Sequence, residues 1–227
     1  MNESPSQSSL SVGKLIAIPA VITLAITILR LVGELQHWPR PWFDSSPGGG
    51  GAIVGISWLP ILFGPYFAWK LAAAGESPSG LGKPIGAAVA ALVVFLAGGF
   101  LLGATEGHPG IIPLLGSLIT LAAAFVARMG WRAFGNVLLA YAVAARIPVL
   151  IVMFIAMSAN GGQGWGTHYD VVLPAFVSAP FWQRFVYFAL VPQATLWIGW
   201  TVTVGALFGS IVMAIFRPGR RAAAVAA

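Results

Sequence analysis

The sequence predicts an all-α protein of the polytopic integral membrane class: a helical bundle with six transmembrane helices and both termini in the cytoplasm (N-in/C-in). Three observations lead to this prediction. Of the 227 residues, 58% are hydrophobic and only 8% are charged, whereas soluble domains average roughly 25% charged residues. Apolar runs close to the ~20 residues that a membrane-spanning helix needs recur along the whole chain. Lys and Arg are shared unevenly between alternate connections, as is typical of membrane proteins with a fixed orientation.

Six apolar segments are predicted to cross the membrane as helices, because backbone polar groups inside lipid must be satisfied within the segment. The first five are Leu15–Val32, Ala52–Ala72, Pro84–Ala104, Ile111–Ala127 and Ala133–Met157. The last run ends at Phe216 and is too long for one simple crossing. Pro192 is predicted to divide it into an aromatic segment near the membrane interface and a span that starts near Gln193.

The six segments are predicted to form a single membrane domain, residues 14–217. A mobile, Ser-rich cytoplasmic tail is predicted over residues 1–13, and a basic, Ala-rich cytoplasmic tail over residues 218–227. Three Gly-x-x-x-Gly pairs, which begin at Gly51, Gly99 and Gly205, predict close packing between helices of the same chain.

The basic residues predict the orientation of the chain. Eight of the 12 Lys and Arg residues lie on the tails and the even-numbered connections, with only two acidic residues on that side. The other four basic residues are balanced by four acidic ones, so the whole net charge of +6 belongs to one side, which the positive-inside rule places in the cytoplasm. The charge is therefore a topology signal, and it does not indicate a nucleic-acid partner. The Ala- and Gly-rich composition without organelle signals predicts a bacterial inner (cytoplasmic) membrane.

The three outer connections, residues 33–51, 105–110 and 158–184, each supply one histidine and at least one carboxylate. Imidazole and carboxylate together suit Zn²⁺ or non-haem iron, so one hypothesis is a divalent-metal site on the outer face. The alternative is that these residues are ordinary polar side chains of loops, because histidine is costly inside lipid and collects outside it. The candidate ligands are His37, His108, His168, Glu34, Glu106 and Asp170.

Arg146 is predicted to lie near the bilayer centre, because it falls in the middle of the segment Ala133–Met157. An Arg at this depth costs about 2.5–3.5 kcal/mol on insertion scales, and no Asp or Glu lies inside a predicted segment to neutralise it. In one interpretation the guanidinium is satisfied within its own helix, by carbonyls that Pro148 leaves free and by Tyr141 or Asn136.

In a second interpretation Arg146 binds an anion or a lipid phosphate, with Tyr141 and Asn136 as neighbouring ligand-binding candidates. An ion pair with Glu34 or Glu106 is a further alternative. The anion or lipid is favoured over the ion pair, because both carboxylates are predicted to lie beyond the ends of their helices.

The sequence predicts a non-enzymatic role: a small transporter, a lipid- or anion-handling protein, or an accessory subunit of a membrane assembly. The chain has no cysteine, no phosphate-binding Gly-rich loop, no Gly-x-Ser-x-Gly and no His-Glu-x-x-His motif. Its expected partners are membrane lipids, together with other membrane subunits or a second copy of the chain. The alternative from another class is a metal-binding protein or metal-dependent membrane enzyme that uses the outer histidines and carboxylates.

Overall fold

The computed structural model describes residues 11–47, 51–105 and 110–216, and within these ranges the regular structure is helical, without a strand. The predicted all-α, polytopic helical bundle is confirmed. The second helix, α2, covers Leu59–Ala73. Five further helices are long and apolar enough to cross a membrane: α1 (Val12–Leu35), α3 (Gly82–Gly103), α4 (Ile111–Gly130), α5 (Arg132–Gly162) and the C-terminal segment Phe181–Phe216.

The two predicted tails lie largely outside the described residues. Of the N-terminal tail, the structure describes only residues 11–13, and Val12 already belongs to α1. The predicted tail over residues 218–227 falls entirely outside.

The helix α2 begins later than the sequence predicts. Residues 51–58 form turns and bends, and the helix starts at Leu59, seven residues after the predicted start at Ala52. Pro60 lies in the first turn, where its missing N–H costs no hydrogen bond and its fixed φ favours a helix start. With 15 residues, α2 is roughly 22 Å long at 1.5 Å per residue, shorter than a hydrocarbon core of about 30 Å.

The helix α5 is close to its predicted limits. It starts at Arg132, one residue before the predicted Ala133, and its backbone leaves helical geometry at Ala159. Asn160 follows in the left-handed region, with φ of 52°, which Asn tolerates better than most residues. The side-chain amide of Asn160 donates to the carbonyl of Gly164 at 2.8 Å, so this change of direction is held locally.

The C-terminal helical segment is divided near Pro192, as predicted. It consists of α6 (Phe181–Phe185), a π-helical turn (Val186–Leu190), α7 (Val191–Ala194) and α8 (Leu196–Phe216). The irregularity follows from the proline, which lacks an N–H and cannot continue the ladder of helical hydrogen bonds. Thr195, with φ of −119° and ψ of −76°, separates α7 from α8.

Glycines allow α8 to pack closely against its neighbours. A Cβ atom at Gly199 would lie 2.1 Å from the carbonyl oxygen of Thr120 in α4, and one at Gly64 of α2 would lie 2.3 Å from the carbonyl oxygen of Gly205. Of the predicted Gly-x-x-x-Gly pairs, the one that begins at Gly205 lies in a helix contact, whereas the one that begins at Gly99 faces open space. The C-terminal segment is the most deeply buried span of the bundle.

Candidate functional site

Arg146 lies in the middle of α5, fourteen residues after Arg132 and thirteen before Ala159. At 1.5 Å per residue it is therefore roughly 20 Å from either end of the regular helix. Only 4% of the residue is exposed. The structure thus places a buried guanidinium far from both ends of a membrane-spanning helix.

Within the described residues, the guanidinium of Arg146 makes one hydrogen bond and one cation–π contact, both with side chains of α8. Its Nη2 donates a hydrogen bond of 3.2 Å to Oγ1 of Thr201, and its Cζ lies 5.1 Å from the ring centroid of Trp197. Its Nε is buried and has no hydrogen-bond partner within the described residues. In the same part of the chain, no ion pair joins Arg146 to a carboxylate. A guanidinium carries five N–H donors, and the donor at Nε is buried and available for a further acceptor.

Arg146 lines a cavity of about 390 Å³, here called the first cavity. This volume lies within the ~300–1,000 Å³ of small-molecule sites. The Oε1 atom of Gln193, another lining residue, is buried and lacks a hydrogen-bond partner in the described part of the chain. Leu196, the first residue of α8, also lines the cavity, so the junction between α7 and α8 lies in its wall. The lining includes the charged, polar and aromatic side chains of Arg30, Arg146, His168, Tyr169, Gln193 and Trp197.

A buried carboxylate, that of Glu34, lies behind the wall of the first cavity. Glu34 belongs to the last turn of α1 and is 4% exposed. Its Oε1 accepts from Nε of Arg30 at 2.8 Å and from Nδ1 of His168 at 2.6 Å, and its Oε2 accepts from the backbone N–H of His168 at 2.8 Å. All three partners donate, as an ionised carboxylate requires.

The prediction that Glu34 lies beyond its helix end is wrong. The helix continues to Leu35, and a spacing of four residues places Arg30 and Glu34 on one helical face. Glu34 therefore neutralises Arg30 and has no ion pair with Arg146.

The contact with Glu34 also fixes the roles of the two imidazole nitrogens of His168. Nδ1 faces a carboxylate and is the donor, so the neutral ring carries its lone pair on Nε2. Burial lowers the pKa of His168 below its usual value, because desolvation disfavours the charged ring more strongly than the hydrogen bond to Glu34 favours it. The ring is consequently neutral at pH 7.

The connection that carries His168 is held by its own hydrogen bonds and by α1. The carboxylate of Asp170 accepts from the backbone N–H groups of residues 165–167 at 2.9–3.0 Å and from the hydroxyl of Thr167. The hydroxyl of Tyr169 donates to the carbonyl of Thr27 at 3.2 Å. Both carboxylate oxygens of Asp170 thus accept hydrogen bonds from its own loop, and the hydrogen bond of Tyr169 holds this loop against α1.

The structure brings together only part of the predicted metal set. His168 and Glu34, from two different connections, form one histidine–carboxylate pair, while His37 is exposed. Within residues 11–47, 51–105 and 110–216, no three His, Asp or Glu side chains form a group that could hold a metal ion. His108 and Glu106 lie outside the described residues.

The two other residues predicted near Arg146 have different partners. The hydroxyl of Tyr141 is 2.8 Å from Oγ1 of Thr23 in α1 and does not hydrogen-bond to Arg146. Asn136 is exposed, and its Oδ1 accepts from Nε of Arg128 at 2.6 Å. It precedes Arg146 by ten residues, or roughly 15 Å along the helix.

Some residues of the site were not anticipated from the sequence. Arg30 had a detectable signal, because its four-residue spacing from Glu34 predicts a pair on one helical face. Thr201, Trp197 and Gln193 had none, because no pattern in the sequence shows which faces of α7 and α8 meet α5.

Comparison with models of protein families, with curated proteins and with solved structures finds no match to this chain. The function therefore has to be argued from the site itself.

Proposed function

We propose that this membrane protein binds an anionic group in the first cavity, with Arg146 as the binding cation, and that it catalyses no reaction. The anionic group is the phosphate or carboxylate of a lipid or of a small anion. One observation carries the proposal: the buried Nε of Arg146, in the wall of the first cavity, has no hydrogen-bond partner in the described part of the chain.

The energetics favour a ligand over an isolated guanidinium. In the described part of the chain, Arg146 makes one hydrogen bond and one cation–π contact with protein, each worth roughly 0.5–2 kcal/mol and therefore about 1–4 kcal/mol together. The charge at this depth costs about 2.5–3.5 kcal/mol, so these contacts offset the cost and leave little surplus. A phosphate or carboxylate would accept charge-assisted hydrogen bonds from Nε and a terminal nitrogen together, which is the geometry that a guanidinium fork matches.

The surroundings of Arg146 suit the same ligand. The wall holds a second basic side chain, that of Arg30, so the charge near the cavity favours an anion. The unpartnered Oε1 of Gln193 is an acceptor, so it favours a ligand that also carries an O–H donor. A phosphate monoester or a hydroxylated headgroup supplies both kinds of atom.

The membrane setting proposed for this activity is a bacterial inner membrane with both termini in the cytoplasm. In that orientation the end of α1 that carries Arg30 and Glu34 lies at the outer face, and the first cavity extends from residues at that face, such as Arg30 and His168, to Arg146. The break between α7 and α8 at the cavity wall supports ligand handling, because discontinuous helices form the binding sites of several transporter folds.

The test is a titration of inorganic phosphate and of butyl phosphate into the protein in phosphatidylcholine nanodiscs, followed by calorimetry. Arg146→Leu should weaken both affinities at least ten-fold, because a charge-assisted hydrogen bond contributes about 1.5–3 kcal/mol and 1.4 kcal/mol is a factor of ten. Arg146→Lys should recover part of the affinity, since it keeps the charge without the fork. The matched control is Arg132→Leu, the same charge loss at the exposed start of the same helix.

Mass spectrometry of lipids that copurify with the protein separates the two sources of the anion. An anionic lipid retained by the parent and lost from Arg146→Leu identifies a lipid ligand. Binding of inorganic phosphate without such a lipid identifies a small anion. Equal binding of both phosphates by the parent and by Arg146→Leu, together with unchanged copurifying lipids, would refute the proposal.

A further inference from the structure

A second cavity, of about 300 Å³, adjoins the first. Its lining is mainly apolar and comes from the end of α3, the start of α4 and the irregular part of the C-terminal segment. Three residues line both cavities, namely Phe188, Pro192 and Leu196. The two cavities therefore meet at the π-helical turn and at the start of α8.

We infer that the ligand of the first cavity is an amphiphile with one apolar chain, and that the chain lies in the second cavity. This inference rests on the proposed function, since it places the anionic group at Arg146. Two independent observations carry it: charged and polar side chains such as Arg146 and Gln193 lie in the wall of the first cavity whereas the second is lined almost wholly by apolar atoms, and the two cavities share part of their walls. A small anion would need only the first cavity.

The wall that the two cavities share is formed by apolar side chains beside an irregular part of the helix. Phe188 belongs to the π-helical turn, and Pro192 and Leu196 lie on either side of Thr195, where the helix is broken. Because these three side chains are apolar and border both cavities, a hydrocarbon chain between the cavities would meet no polar side chain at this wall. The volume of the second cavity, at the lower end of the range for ligand sites, suits one chain.

The experiment compares butyl phosphate with dodecyl phosphate in the same nanodiscs. Leu114→Trp enlarges a residue that lines only the second cavity and is 47% exposed, so the larger ring has room to be accommodated. The matched control is Leu118→Trp, one turn further along α4, 50% exposed and outside both linings. Each variant is first checked by thermal unfolding, and Leu114→Phe replaces Leu114→Trp if the latter does not fold.

Leu114→Trp should weaken dodecyl phosphate binding at least ten-fold and leave butyl phosphate binding within two-fold of the parent. Leu118→Trp should change neither affinity. If Leu114→Trp leaves dodecyl phosphate binding unchanged, or weakens both probes equally, the chain does not occupy the second cavity and the inference is overturned. Absence of Arg146-dependent binding of butyl phosphate is a different result, which overturns the proposed function and this inference with it.

Discussion

Replacing Arg146 by Leu should leave the ligand-free protein about as stable as the parent or more stable. The substitution removes a charge that costs about 2.5–3.5 kcal/mol at this depth. It forfeits one hydrogen bond of 3.2 Å and one cation–π contact, together roughly 1–4 kcal/mol. The balance lies between about 1.5 kcal/mol of loss and about 2.5 kcal/mol of gain.

The same substitution at Arg30 should have the opposite effect. Arg30 donates to the carboxylate of Glu34, whose side chain is 1% exposed, so Arg30→Leu strands a buried charge. Loss of one partner from a buried ion pair costs about 3–5 kcal/mol. Because His168 still donates to Glu34, we expect a loss at the lower end of this range, about 3 kcal/mol. Removing both charges in Arg30→Leu/Glu34→Leu should recover part of this loss, and the coupling should appear in the double-mutant cycle.

The measurement is the free energy of unfolding by SDS in mixed micelles, without added phosphate. If Arg146→Leu lowers the free energy of unfolding by more than about 2 kcal/mol, the contacts with α8 outweigh the cost of the charge and the expected balance is wrong. If Arg30→Leu leaves the free energy of unfolding unchanged, Glu34 needs no cationic partner, which contradicts the second expectation.

Three further predictions concern pH, packing and topology. Because the pKa of His168 is lowered in the folded state, the unfolded chain binds the extra proton first as the pH falls below about 6.5. The free energy of unfolding should therefore decrease on acidification below that pH, and His168→Asn, which keeps a donor towards the carboxylate, should remove the slope. Gly199→Ala should lower the free energy of unfolding by about 1–3 kcal/mol, because its Cβ would meet a carbonyl oxygen of α4. The control Gly99→Ala, at a position that faces open space, should leave it unchanged in the same assay. A cysteine at Ser158 should react with an impermeant maleimide in intact cells, and one at Ser77 only after permeabilisation; labelling of both in sealed cells would contradict the predicted orientation.

The helices were predictable because their length and composition are properties of the chain itself. The limits of α5 follow from the apolar run that begins at Ala133 and from the polar residues after Met157. The predicted start of α2 is wrong because residues 52–58 are apolar in composition but form turns, and hydropathy does not distinguish an apolar turn from a helix. Pro60 marked the real start.

The site was only half predictable. The cost of a charge in lipid singled out Arg146 from its sequence position alone. Its partners could not be found in this way, because Thr201 is 55 residues away and the rotation of one helix against another depends on the packing of the whole bundle. Similarly, the sequence shows one histidine and at least one carboxylate in each predicted outer connection, but only the folded chain shows that His168 meets Glu34 in the last turn of α1.

Binding of a phosphate group at Arg146 can be observed directly in a crystal structure of the protein with butyl phosphate. We expect a phosphate oxygen within ~2.7–2.9 Å of Nε of Arg146, the distance of a charge-assisted hydrogen bond. Bound phosphate at any other place in the molecule, with Nε of Arg146 still lacking an anionic partner, would contradict the account.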